Sequence, residues 1–184
     1  MWALNSLTIE QQDLLRKNIV DLSGEVGETM ANYVNAVTTL SGSKDEPPPL
    51  TIKISSGGGS ASYGYSIHDA IRLYEGETTG IAVGSCSSAA TIILQACKVR
   101  KLGRNTYFHV HLPHQDLKHV TSDQLRDEAW RNRLLELFEQ NEKRTLDIFK
   151  RTRLSAERLR EICVKDTSMS ADEALEYGFV DEII

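Results

Sequence analysis

Three stretches of the chain hold residues that could do covalent or acid–base chemistry. In VGSCSSAAT, residues 83–91, Ser85, Cys86, Ser87 and Ser88 are all formally nucleophilic and lie where an apolar run gives way to small residues. A serine that leaves a buried strand and enters a helix through small neighbours is open on one side and close to backbone N–H donors, as a nucleophile must be. The motif is not G-x-S-x-G, and serine is also the ordinary helix N-cap, so for Ser87 or Ser88 taken alone capping is the simpler role. A reactive cysteine needs a neighbour that favours the thiolate, and nothing local supplies one to Cys86.

The second stretch is HVHLPH, with His109, His111 and His114. On a strand, His109 and His111 point to the same face, a spacing that a metal site could use. No cysteine or carboxylate stands nearby in the usual zinc patterns, and an exposed or hydrogen-bonded histidine is the plainer reading of each. The third is GGGSASYG, residues 57–64, directly after LTIKIS. A glycine run at the mouth of a helix offers bare N–H groups to an anion or a developing oxyanion. It is neither G-x-x-x-x-G-K-[ST] nor a proper G-x-G-x-x-G, which leaves phosphate and dinucleotide binding weak. A tight turn with close packing explains the glycines equally well.

These stretches must be positioned by alternating elements. NIVDLSG (18–24) reads as a strand and GETMANYVNAVTTLSG as a helix with Met30, Val34, Val37 and Thr38 at helical spacing. SKDEPPP (43–49) is a polar connector, LTIKIS a strand, and ASYGYSIHDAIRLYEG a helix with Tyr63, Ile67, Ala70, Ile71 and Tyr74 on one face. A strand at 79–84, a helix at 87–99 and a β-type run at 106–112 follow. Strands separated by helices imply parallel crossovers. From about Ser122 to Arg153 the spacing of Leu134, Leu137, Phe138, Leu146 and Phe149 predicts one long amphipathic helix. SAERLREICVKD predicts a helix capped by Ser155, SADEALEYG carries a capping box from Ser170 and Glu173, and FVDEII reads as a terminal strand.

Composition narrows the function classes. With 184 residues, 21 basic and 26 acidic side chains and a net charge of −5, the chain is expected to form one domain with no electrostatic footprint for nucleic acid or an anionic membrane. No apolar run approaches a spanning helix and the start lacks a secretory pattern, so a soluble, cytoplasmic protein is expected. Cys86, Cys97 and Cys163 are too few for a disulfide framework and form no C-x-x-C pair; Cys97 and Cys163 read as small core residues.

Taken in order, IKISSGGGSASYGYSIHDAI, IAVGSCSSAATIIL, YFHVHLP and KDTSMSADEALEYGFVDEII resemble the successive blocks of the proteolytic subunit of the Clp protease, a self-compartmentalised serine peptidase. The resemblance covers roughly residues 14–184 and is weakest between His114 and Ile162. It implies an α/β fold of the ClpP/crotonase kind, a spiral of ββα units with a parallel sheet, a smaller sheet and a protruding handle helix. As a single domain over 1–184, the head would comprise about 14–113 and 164–184 and the handle about 122–163.

The same resemblance implies a serine endopeptidase with Ser88 as nucleophile, His111 as base in place of His109 or His114, and Asp166 as the orienting carboxylate. It implies an oxyanion hole from the N–H groups of Gly59 and Ala89, and substrate contacts at Gly58 and Ser60. No cofactor or metal is implied. The expected partners are peptides or unfolded proteins and further copies of the chain in a ring, heptameric in the family. Three departures stand out: Gly57 replaces the family's rigid proline, a glycine-rich segment after the histidine is missing from HQDLKHVTSDQLRDEAW, and only about a dozen residues precede DLLRKN. They leave ring stacking and an AAA+ unfoldase partner open. The alternatives are a catalytically weak or structural ring subunit, a crotonase-type acyl-CoA enzyme, and a translocation-enhancing or signal-peptide-peptidase relative.

Overall fold

The computed structural model describes residues 8–114 and 120–184. The expected alternation is present: β1 (Ile19–Val26), α2 (Glu28–Gly42), β2 (Leu50–Gly59), α3 (Ala61–Leu73), β3 (Thr78–Ser87), α4 (Ala89–Ala96) and β4 (Val99–Leu102) follow one another. They come after a short helix, α1 (Ile9–Arg16), whose Thr8–Gln11 capping box the periodicity did not register. The strands β1, β2, β3 and β4 pair in parallel in that order, and β7 (Glu182–Ile183) adds to β4, also in parallel. This is the right layout for helices on the sheet's faces, because each parallel pair needs a crossover.

The core follows from sequence periods. Alternate residues of β2, Leu50, Ile52 and Ile54, are buried in one cluster with Ile67 and Ile71 of α3 and with Ile93 and Leu94 of α4. All eight residues of α4 are buried; its two polar side chains find partners inside, Thr91 donating its hydroxyl to the Ser88 carbonyl and Gln95 Nε2 donating to the Phe179 carbonyl at 2.9 Å. On α2, Met30, Val34 and Val37 face inward as their spacing predicts.

One strand serves two sets of neighbours. The first half of β3 pairs with β4 through Thr79–Ala82, whereas its last residues, Ser85, Cys86 and Ser87, pair in parallel with β5 (Tyr107–Val110). Gly84, with φ +71°, lies at the change of partner. A short strand, β6 (Thr167–Met169), completes this branch antiparallel to β5. The expected smaller sheet is thus a branch of the main sheet at β3.

Several boundaries differ from expectation. The glycine run is the end of β2, and β3 extends through Ser87, so the helix predicted over 87–99 is the shorter α4. Cys97 and Lys98 form the connection and Val99 opens β4, which the pattern hid because Arg100 is buried. Arg100 is 4% exposed; its Nε and its backbone N–H both donate to Asp181 Oδ2, at 3.0 and 2.9 Å, and Nη1 donates to Gln95 Oε1 at 2.6 Å. Burial works against ionisation of Asp181, but the hydrogen bonds and charge of Arg100 outweigh it and hold the carboxyl below its ordinary range.

The long helix predicted from about Ser122 to Arg153 is two helices and a turn: α5 (Ser122–Arg126), α6 (Glu128–Ile148) and a 3-10 turn over Phe149–Arg151. Asp127 makes the break. Its backbone is extended and its carboxylate accepts the Trp130 N–H at 3.1 Å, so it caps α6 instead of continuing α5. Among the residues of α6 only Thr145 is buried, and Leu135 and Leu137 are exposed. The helix is tied to α3 where the Tyr65 hydroxyl meets Thr145 Oγ1 at 2.8 Å and the Arg144 guanidinium lies 4.8 Å from the Tyr65 ring centroid. Two further helices, α7 (Ala156–Val164) and α8 (Ala171–Glu176), carry the predicted caps at Ser155 and Ser170. Part of the sequence tract lacking the glycine-rich segment, residues 115–119, lies outside the described residues.

Candidate active site

The serine at the β3-to-α4 junction is held in an uncommon backbone state. Ser88 has φ +56° and ψ −125°, a left-handed region that costs a side-chain-bearing residue about 1–3 kcal/mol. The surroundings keep it there. Its amide donates to the His109 carbonyl at 3.0 Å, and its own carbonyl accepts the N–H and hydroxyl of Thr91 at 2.9 and 2.6 Å. The Ser88 side chain makes no cap hydrogen bond to α4, so the capping role that was the simpler reading for this serine does not apply. Strain of this kind on a strand-to-helix turn turns a hydroxyl outward from the sheet.

The glycines answer to two neighbours. A Cβ built on Gly58, at φ +100°, would lie 2.6 Å from Ser88 Cβ and 3.1 Å from Ser88 Oγ. One built on Gly59, at φ +147°, would lie 2.5 Å from the Val26 carbonyl oxygen. Gly57 meets nothing within 4 Å. Gly58 therefore makes room for the serine and Gly59 for the adjacent strand. The Gly58 N–H donates to Ser56 Oγ at 3.1 Å. Ser60 is exposed at the N-cap of α3, and Ala89 is the first residue of α4.

The histidines lie on β5 and just beyond it. Phe108 and Val110 are buried, whereas Tyr107 and His109 lie on the opposite, partly exposed face. Ring centroids are 5.8 Å apart for Tyr107 and His109, 5.5 Å for His109 and His111, and 4.5 Å for His111 and His114, forming a ladder of rings. Across the strand pair, His109 is opposite Ser168 and Val110 opposite Thr167, where the ladder ends; His111 and Asp166 are the next residues along, and beyond them the Leu112 N–H donates to the Cys163 carbonyl. Asp166 itself has φ +58° just past the end of α7.

The carboxylate of Asp166 nevertheless reaches His109: Oδ1 lies 2.7 Å from His109 Nε2. A carboxylate only accepts, so Nε2 carries a proton, and in the neutral ring Nδ1 accepts the Ser87 hydroxyl, whose Oγ is 3.1 Å away. The His111 Nδ1 lies 2.6 Å from the Leu112 carbonyl oxygen, again an acceptor only, so Nδ1 carries the proton and the neutral ring keeps its lone pair on Nε2. Asp166 is thus engaged with His109, whereas the sequence resemblance had paired it with His111. The physical reason is the diagonal of an antiparallel pair, which brings a side chain two residues along the partner strand within reach. His109 and Ser87 are among the candidates that the sequence offers, and the resemblance set both aside in favour of His111 and Ser88; the structure brings them into the cluster with Asp166.

The cysteines do not compete for a nucleophile's role. Burial pushes the Cys86 thiol far up and those of Cys97 and Cys163 up to about 12. Among the described residues no group of three or more His, Cys, Asp or Glu side chains is arranged to hold a metal ion. A cavity of about 710 Å³ between α3 and α6, lined in part by Tyr65, Arg72, Arg144 and Arg151, contains none of Ser88, His111 and Asp166. No helix among the described residues is long and apolar enough to cross a membrane.

The family model described as Clp protease matches residues 5–184. The chain is 30% identical over 173 residues to the ATP-dependent Clp protease proteolytic subunit 2 of Bacillus licheniformis, which covers 93% of this chain and 88% of the relative. It is 28% identical to the proteolytic subunit 1 of Shouchella clausii, covering 93% and 86%. The structure matches that of a point mutant of ClpP1 from Listeria monocytogenes with a TM-score of 0.80 and 27% identity, over 96% of each chain.

Proposed function

The chain belongs to the Clp protease family, and on that premise we propose that it is a serine endopeptidase that cuts peptide bonds of unfolded proteins or peptides inside an oligomeric chamber. Ser88 is the nucleophile, His111 the general base and Asp166 the carboxylate that orients it. The single observation that carries the reading is the strained Ser88 at the β3-to-α4 turn, packed against a glycine that has no room for a side chain.

In the proposed reaction Ser88 Oγ attacks the peptide carbonyl carbon while its proton passes to the lone pair on His111 Nε2. The carbonyl electrons move to oxygen, where the N–H groups of Gly59 and Ala89 receive the oxyanion; one such donor is worth about 3 kcal/mol. The imidazolium returns its proton to the leaving amine as the C–N bond breaks, leaving an acyl-enzyme. Water enters the same cycle, giving up a proton to His111 and releasing the acid and Ser88. An extended substrate would run along Gly58 and Ser60 at the exposed end of β2.

Family membership and the exposed face of α6 support assembly into a homo-oligomeric ring, with seven subunits as in the family. Light scattering of the purified chain at micromolar concentration tests this, and a monomeric mass overturns it. A second reading, a catalytically weak ring subunit, is favoured by the engagement of Asp166 with His109. The two are separated by one experiment: an active-site fluorophosphonate probe labels Ser88 and a fluorogenic unstructured peptide is cleaved, and both signals vanish in Ser88→Ala. Absence of labelling and cleavage in the assembled wild-type protein would sink the peptidase reading.

A further inference from the structure

Resting on the assignment of Ser88, His111 and Asp166 above, we propose that His109 withholds Asp166 from His111, so that this structure is the resting member of a two-state site in which one carboxylate serves two imidazoles. His109 is a positioning residue here: it acts on the reaction only through Asp166.

The carboxylate meets one of two adjacent imidazoles. His111 and Asp166 each follow the Val110–Thr167 pair that ends the ladder, His109 stands on the diagonal from Asp166, and the two imidazole centroids are 5.5 Å apart. Asp166 is 51% exposed and lies at the left-handed residue after α7, so its short side chain is not enclosed by the core on either setting. His109 now holds the carboxylate with both of its nitrogens engaged, one to Ser87 Oγ and one to Asp166 Oδ1.

His111 is left with the neutral Leu112 carbonyl on Nδ1. That contact fixes the tautomer a base needs, with the lone pair on Nε2. It does not supply the negative charge that stabilises the imidazolium formed when the serine proton arrives; a hydrogen bond to an ionised acceptor is about twice as strong as one to a neutral acceptor. The site is therefore oriented without being fully charged. Ser87–His109–Asp166 is also a serine, a histidine and a carboxylate in hydrogen-bonded order, but Ser87 is 7% exposed and paired within the sheet opposite His109. A buried strand hydroxyl cannot meet a peptide carbonyl, so Ser87 anchors His109 and does not replace Ser88.

The test compares His109→Phe, His109→Gln, Asp166→Asn and the double variant His109→Phe/Asp166→Asn in the assembled protein. Phenylalanine keeps a ring between Tyr107 and His111 and removes both nitrogens; glutamine keeps an N–H donor for Asp166. The rate of Ser88 acylation by a fluorophosphonate and kcat and KM on a fluorogenic peptide are measured. His109→Phe is expected to raise acylation and kcat by about 3- to 10-fold with KM within about twofold, and His109→Gln to stay near wild type. The gain should vanish when Asp166 is already asparagine. A His109→Phe protein that labels at Ser88 no faster than wild type, or a gain that persists beside Asp166→Asn, overturns the proposal while leaving the peptidase reading intact. No labelling of Ser88 in any variant overturns both. A structure of the phosphonylated wild-type protein is independent of the folding of any variant: Asp166 on His111 supports the switch, and Asp166 still on His109 refutes it.

Discussion

Gly58 and Ser88 share one space: a methyl group on the glycine would fall 2.6 Å from the serine Cβ, closer than carbon atoms approach without displacement. Gly58 also has φ +100°, so alanine there is strained before it meets anything. Gly58→Ala is expected to lower peptide hydrolysis by about 100-fold, because a displacement of the proposed nucleophile by roughly 1 Å suffices for that loss. Gly57→Ala, one residue away with nothing within 4 Å, should change stability by less than about 0.5 kcal/mol. Steady-state kinetics and chemical denaturation of the pair decide it; equal effects at both positions would remove the steric argument.

The backbone strain at Ser88 gives a second comparison. Ser88→Ala removes the hydroxyl and keeps a Cβ at φ +56°, whereas Ser88→Gly removes both the hydroxyl and the penalty. Both variants should be inactive, and the glycine variant should be the more stable by about 1 kcal/mol. Equilibrium denaturation in urea measures the difference, and a more stable alanine variant would show that the position carries no strain.

Asp181 makes a prediction about acid. Its carboxyl is held below its ordinary range by Arg100, so its contribution to stability is fully present above the unfolded-state value and is lost as the pH falls through the lower folded value. Asp181→Asn leaves the buried guanidinium without its charge partner. The carboxylate is 40% exposed, which reduces the expected loss to about 1–2 kcal/mol at pH 7. The gap between wild type and variant should narrow as the pH falls below about 4, followed by denaturation at several pH values. A gap that is constant or widens in acid contradicts the assignment.

The cysteines should be silent in the folded state. With Cys97 and Cys163 pushed up to about 12 and Cys86 higher still, iodoacetamide at neutral pH is expected to modify none of them until denaturant is added. Mass spectrometry of the treated folded protein reads this directly. Rapid alkylation accompanied by loss of activity would place a thiol in the reaction.

Much of the head was legible because its signals are local. LTIKIS alternates, the first turn of α8 carries its capping box, and the serine-rich turn follows an apolar strand. Three features were not legible, each for a different reason. Arg100 hid β4 because a charged residue inside a four-residue strand makes sense only with Asp181, 81 residues away, already in place. Asp127 divides α5 from α6 through a cap, and the helical period of the surrounding leucines ran across it. The engagement of Asp166 with His109 depends on a diagonal across the antiparallel β5–β6 pair, and β6 is only three residues long. Motif order names the partners of a site, but the register of two distant strands decides which of two neighbouring imidazoles a carboxylate meets.

The alternation along β5 carries a rule of parity. Phe108 and Val110 occupy the interior while the rings at 107 and 109 occupy the other side, and the Ser88 amide is fastened to the His109 carbonyl. Inserting or deleting one residue in this strand would exchange the two sides, sending imidazoles into the oily interior and a phenylalanine to water. Length changes tolerated here must come in pairs, so the geometry of the candidate site and the integrity of the core are inherited as one unit.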